Sequence, residues 1–169
     1  VFKEYASIGK STMGWYFGFK LHLTCNERGE LVNFMVTKTN VDDRDERVFN
    51  RLSNNLFGKL FADKGCISQG LFERLYNDGI NLVTGLKSNM KNKLIPLYDK
   101  ILLRKRSVIE TINDELKNVA QLVHSRHRSV FNFAINALSA LAAYCFFEKK
   151  PAINVDFCID RQGQQLTLF

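Results

Sequence analysis

A chain of 169 residues that is 46% hydrophobic and carries 14 Phe has the apolar mass of one packed domain, which excludes an intrinsically disordered protein. Only 2 Pro and 10 Gly leave little material for long linkers. A formal charge of +7 and a pI near 9.3 favour a polyanionic partner, nucleic acid foremost.

The basic excess is concentrated in one stretch. Lys87, Lys91, Lys93, Lys100, Arg104, Lys105, Arg106, Lys117, Arg126 and Arg128 face only Asp99, Glu110, Asp114 and Glu115 there. Such a run equally describes a solvated face, so charge alone assigns no function. Cys25, Cys66, Cys145 and Cys158 are far apart and form no CxxC pair, and none has a neighbouring His. That disfavours zinc and suits a reducing cytoplasm, with no signal peptide in view.

Residues 1–14 hold no apolar strand run. "WYFGFKLHLT" (15–24) alternates, with Phe17, Phe19, Leu21 and Leu23 on one face and Lys20, His22 and Thr24 on the other, as in a half-buried strand. "CNERGE" turns the chain at Gly29, and "LVNFMVT" (31–37) returns with Val32, Phe34 and Val36 on one face. The pair predicts a β-hairpin. A helix is expected over 40–55, with Asp42 and Asp43 among the residues capping its start.

"KLFADKG" (59–65) reads as a buried strand ending at Asp63, and "SQGLFERLYNDGI" (68–80) as a helix capped by Ser68 and stopped at Gly79, with Leu71, Phe72 and Leu75 inward. "NLVTGL" (81–86) is a further strand, followed by the basic loop 87–93. Strands alternating with helices after a hairpin predict an α/β fold with a mixed sheet. From Lys100 the pattern is helical: Arg106, Glu110, Asn113 and Lys117 share one stripe, while Ile109, Ile112, Leu116, Val119, Ala120 and Val123 form a separate apolar arc. Segment 129–147 is apolar but carries the line Asn132, Asn136, Ser139, which predicts a buried core helix rather than a membrane span. The tail 151–169 is polar, leaving residues 1–150 as the folded domain.

Asp63 at a strand end and Glu110 on a helix are oxygen donors on separate elements, the arrangement that holds Mg²⁺ between protein and phosphate. Singly, each is more often a turn former or a solvated carboxylate. Together, "FADKG" followed by "RSVIETINDELK", an Arg-x3-Glu-x6-Lys pattern, resembles the bacterial insertion-sequence transposases of the DDE type. The similarity extends to "GWYFGFKLHL", "GELVNFMVTKTNVDDRD", "GINLVTGLKSNMKN" and "HSRHRSVFNFAINALSALAAYCF", spanning about residues 8–150.

The resemblance implies an RNase H-like domain, a mixed sheet flanked by helices, over residues 1–150. It implies Asp63 and Glu110 as the second and third members of a carboxylate triad holding two Mg²⁺ (or Mn²⁺) ions. It further implies Arg106 and Lys117 as contacts to the transposon end, joined by Lys87, Lys91 and Lys93 on DNA phosphates. His124, Arg126, His127 and Arg128 either extend that basic surface or form a solvated helix end. Leu103 stands where the family usually has a Tyr, and Cys66 where an aromatic is common. The family's first Asp ends a central strand upstream of "GWYFGFKLHL", and residues 1–14 offer only Glu4, so this strand and this Asp are expected to be missing from the chain.

The implied activity is cleavage and transfer of DNA strands at insertion-sequence ends, in a cytoplasmic, nucleoid-associated protein with DNA ends and target as partners, a homodimer on paired ends, and no membrane. Without the first Asp, this chain alone is expected to be inactive. The alternative is a non-catalytic nucleic-acid-binding remnant or regulator, and a third reading is a nuclease of the same fold.

Overall fold

The computed structural model describes residues 2, 4–11, 14–63, 69–85, 95–122 and 127–153. The expected basic loop with Lys87, Lys91 and Lys93 lies outside these residues, as do Cys66, Ser68, His124, Arg126 and most of the tail.

Strand β2 (Gly14–Cys25) is the longest. Its first half pairs with β1 (Ser7–Ser11), from Ser7 opposite Gly18 to Ser11 opposite Gly14. Its second half pairs with β3 (Leu31–Lys38), from Phe19 opposite Lys38 to Cys25 opposite Leu31. The β2–β3 hairpin follows the sequence pattern. Gly29 takes φ +73° in its turn, and Asn26 Oδ1 accepts from Arg28 N and Glu30 N, both at 3.0 Å. Residues 1–14 hold no apolar strand run, as read from sequence, yet they contribute the short polar strand β1. "SIGKS" has one large apolar side chain, so its ladder with β2, rather than any pattern of its own, makes it a strand.

The two faces of β2–β3 are not core and solvent as the alternation suggested. His22, on the expected polar face, is buried, with Nε2 2.9 Å from Thr37 Oγ1. Helix α1 (Glu46–Leu52) covers this side: the Leu52 carbonyl accepts from Asn33 Nδ2 at 3.1 Å and Thr24 Oγ1 at 3.4 Å. Asp45, not Asp42 or Asp43, caps α1 by accepting from Arg47 N at 2.9 Å. Asp42 is taken by Arg44, through both its backbone N–H and its guanidinium, and Asp43 by Lys20 Nζ at 3.1 Å.

Strands β4 (Gly58–Ala62) and β5 (Ile80–Thr84) form a parallel pair, joined through a segment containing α2 (Gln69–Asn77). Leu71 and Leu75 of α2 pack on Ile80 and Leu82 with Phe49 of α1, and Leu60, Ala62 and Phe72 close this core. Among the described residues the strands thus make two sheets, a three-stranded antiparallel one and a two-stranded parallel one, with helices flanking them. The architecture is the mixed α/β arrangement expected.

The helix expected from Lys100 is two helices. Helix α3 (Leu97–Lys105) begins earlier and stops at Arg106, and α4 (Val108–Asn118) begins after Ser107. Both junction residues stay near the helical region, with ψ of −16° and −15°, and Ile109 N and Glu110 N donate three residues back. The break has a physical reason: α3 is held against β4 by Asp99, whereas Ile112 and Leu116 of α4 enter a second core against β2–β3. Val119, expected on the apolar arc, is 63% exposed.

Helix α5 (Val130–Cys145) completes the second core through Leu141 and Tyr144. It is a core helix as expected, but buried along one side only, because Phe131, Ile135 and Leu138 are exposed. Among the described residues no helix is long and apolar enough to cross a membrane.

Candidate functional site

Strand β4 ends at Ala62, so Asp63 is the first residue past its C-terminal end. Alternation places Lys59, Phe61 and Asp63 on one face, while Leu60 and Ala62 turn to the first core. Asp63 is about half exposed and lies 3.4 Å from Arg106 Nη2 at the α3–α4 junction. A pair this open to water contributes about 0–1 kcal/mol. Its importance is geometric, since it fixes where the strand end meets the helix pair. Glu110 is exposed, four residues past Arg106, or about 6 Å along a helix axis.

The predicted stripe is therefore divided. Arg106 faces Asp63 from the junction, while Asn113 and Lys117 line a groove of about 560 Å³ with Phe19, Phe133 and Leu141. Leu103, in the usual Tyr position, is half-buried on α3. His127 also lines the groove, whereas Arg128 is exposed. These two residues precede α5 rather than end a helix, so they do not have the favourable C-terminal placement considered from sequence.

Sequence reasoning missed the partner of Lys59. Its Nζ lies 2.7 and 3.0 Å from the two oxygens of Asp99, whose side chain is 6% exposed, and 5.9 Å from the Tyr98 ring centroid. The available signal was the period of two that sets Lys59 and Asp63 on one face of β4. The partner 40 residues later had no local signature. A second network sits behind the hairpin. Burial pushes the His22 pKa below its ordinary value, against the opposing pull of the Asp43 carboxylate.

Asp63 and Glu110 are the hard oxygen donors that divalent cations such as Mg²⁺ prefer. Among the described residues, however, no group of three or more His, Cys, Asp or Glu converges, and Asp63 faces a guanidinium. The donors are of the right kind and too few by themselves for a complete cation site.

A family model described as a transposase DDE domain matches residues 1–130. No curated protein and no solved structure matches the chain. The family match spans well over half of the 169 residues and covers both Asp63 and Glu110, and the chain belongs to the transposase DDE domain family.

Proposed function

We propose that this transposase domain cleaves phosphodiester bonds at the ends of an insertion sequence and joins those ends to target DNA, with Asp63 and Glu110 as metal-binding carboxylates. The observation that carries the reading is the meeting of a strand end and a helix junction: Asp63 lies 3.4 Å from Arg106, one helical turn before Glu110. The Asp63 carboxylate thereby stands at the C-terminal end of the parallel pair, where ligands gather in open α/β sheets, and Glu110 follows one turn after the arginine it meets. Mg²⁺ or Mn²⁺, when bound, supplies Lewis acidity to the phosphate and to the attacking oxygen. A further oxygen donor from outside the described residues completes the set.

Arg106 then has two partners to choose between. It screens Asp63 when no cation is present and turns to a DNA phosphate when one is. Lys117, on the rim of the groove, and Lys87, Lys91 and Lys93 neutralise further phosphates, so binding falls steeply with salt. The exposed Glu110 needs no rearrangement of the core to take part.

The test is end-DNA cleavage and joining by the full-length protein with Mg²⁺. Asp63→Ala and Glu110→Gln abolish both steps and leave DNA binding in place, whereas Lys117→Ala lowers the salt slope of binding by about 1. Cleavage that survives Asp63→Ala refutes the assignment. Hydrolysis without joining identifies a nuclease instead. The shortage of donors among the described residues favours one second reading, a non-catalytic DNA binder descended from a transposase. For that binder, Mg²⁺ changes nothing at Asp63 and Glu110.

A further inference from the structure

The two carboxylates of the proposed site belong to different packing units. Asp63 directly follows β4, which packs with β5 and α2 in one core, whereas Glu110 rides on α4, whose Ile112 and Leu116 are anchored in the other core against β2–β3. Among the described residues no strand ladder joins β4 to β2–β3. Helix α1 bridges the two units, with Phe49 in the first core and its Leu52 carbonyl bonded to Asn33 and Thr24 of the hairpin, but it does not reach the far end of β4, so the local separation of Asp63 from Glu110 also depends on what ties α3 and α4 to β4.

Two ion pairs run between β4 and α3 in the same direction along both elements. Lys59 meets Asp99 at 2.7 Å, and Asp63 meets Arg106 at 3.4 Å. Four strand residues span about 13 Å and seven helical residues about 10 Å, a difference of about 3 Å that the long Lys59 and Arg106 side chains bridge, so α3 runs beside the strand. The rungs differ in character. The Asp63–Arg106 rung is open to water on both sides and is given up when Asp63 takes a cation. The Lys59–Asp99 rung has an almost fully buried carboxylate bonded through both oxygens, with the Tyr98 ring beside the ammonium. Only two near-helical residues, Arg106 and Ser107, separate α3 from α4, so no loop absorbs a shift of α3 before it reaches Glu110.

We propose that Lys59 and Asp99 are a positioning pair that sets the Glu110 helix against the end of β4, and does so in the loaded state as well, when Arg106 has left Asp63. The role in catalysis rests on the transposase site proposed above; the role in geometry does not. Neither residue touches substrate.

The experiment uses the full-length protein with its native cysteines replaced by alanine and spin labels at the exposed positions Glu73 on α2 and Asp114 on α4. Asp99→Asn keeps the shape of the side chain and removes its charge, and Lys59→Met keeps the stem and removes the ammonium. Both broaden the label-to-label distance distribution, and the conservative Lys59→Arg keeps it narrow. In end-DNA cleavage, Asp99→Asn lowers kcat about tenfold or more while KM for DNA stays within about twofold, as a misplaced catalytic group does. A distance distribution unchanged in both variants overturns the proposal. So does a loss of cleavage that merely follows the unfolded fraction at the assay temperature. If the distribution broadens but Asp63→Ala still cleaves DNA, the positioning of α4 stands and the assignment of the catalytic carboxylates falls.

Discussion

Tyr144→Phe removes one oxygen from the centre of the second core, and its cost can be worked from the contact it makes. The side chain is fully buried on α5, and its hydroxyl donates to the Gly29 carbonyl at 2.7 Å across 115 residues of sequence. Burial, with the Glu115 carboxylate behind it, pushes the phenol up to about 12, so the hydroxyl remains a donor throughout the working range. The phenylalanine ring keeps the contacts with Ile112, Leu116 and Leu141, so no cavity forms. What is lost is the hydrogen bond, and the carbonyl of the buried Gly29 is left without that donor. A net bond of about 1 kcal/mol and an unsatisfied buried acceptor give a loss of about 1–3 kcal/mol. For a chain of this size that lowers Tm by about 2–10 °C. Tyr144→Ala also opens a cavity and costs about 3–5 kcal/mol. The assay is urea unfolding followed by circular dichroism, with Tm from the same signal. A Phe variant as stable as the parent refutes the role given to the hydroxyl, and one as damaged as the Ala variant refutes the claim that the ring contacts survive.

Two further predictions concern the same hairpin. Gly29→Ala drives a Cβ into the Pro151 carbonyl oxygen and holds alanine at φ +73°, so the turn must release Pro151 and the Ile153 N–H bond to the Glu27 carbonyl. The backbone conformation alone costs about 1–2 kcal/mol, so a stability loss above that figure in urea is expected, and a neutral variant counts against the contact. His22 is held below its ordinary pKa of 6.5 chiefly by burial, so the unfolded chain binds a proton there that the folded chain resists. Its contribution to stability is full above about pH 6.5 and is lost as pH falls through that value toward the lower folded pKa. His22→Gln should flatten the difference in urea midpoint between about pH 5 and about pH 7.5; an unchanged slope would exclude His22 as its source.

The sequence by itself determined the features whose cause is local. Alternation over 15–24 and 31–37, with Gly29 between them, specified the hairpin, and the spacing of Leu71 and Leu75 specified α2. An apolar run that stops at an acidic residue located Asp63 at a strand end, and the Arg-x3-Glu-x6-Lys spacing brought Arg106, Glu110 and Lys117 to notice. Tertiary structure decided everything that depends on a partner far along the chain. His22 has the alternation of a solvent-facing residue and is buried because α1 folds over it. Asp42 and Asp43 have the chemistry of helix caps, but α1 starts only at Glu46, so the cap falls to Asp45, while Asp43 is drawn to Lys20 on β2. The smooth helical period from Lys100 breaks at Arg106 because α3 is held to β4 through Asp99 while α4 enters the core against β2–β3. Alternation sets Lys59 on the face of Asp63, but nothing local pairs it with Asp99 until the fold brings residues 40 positions apart together. Periodicity reports which side chains share a face, whereas the energy that turns a chain or buries a charge comes from contacts that periodicity does not encode.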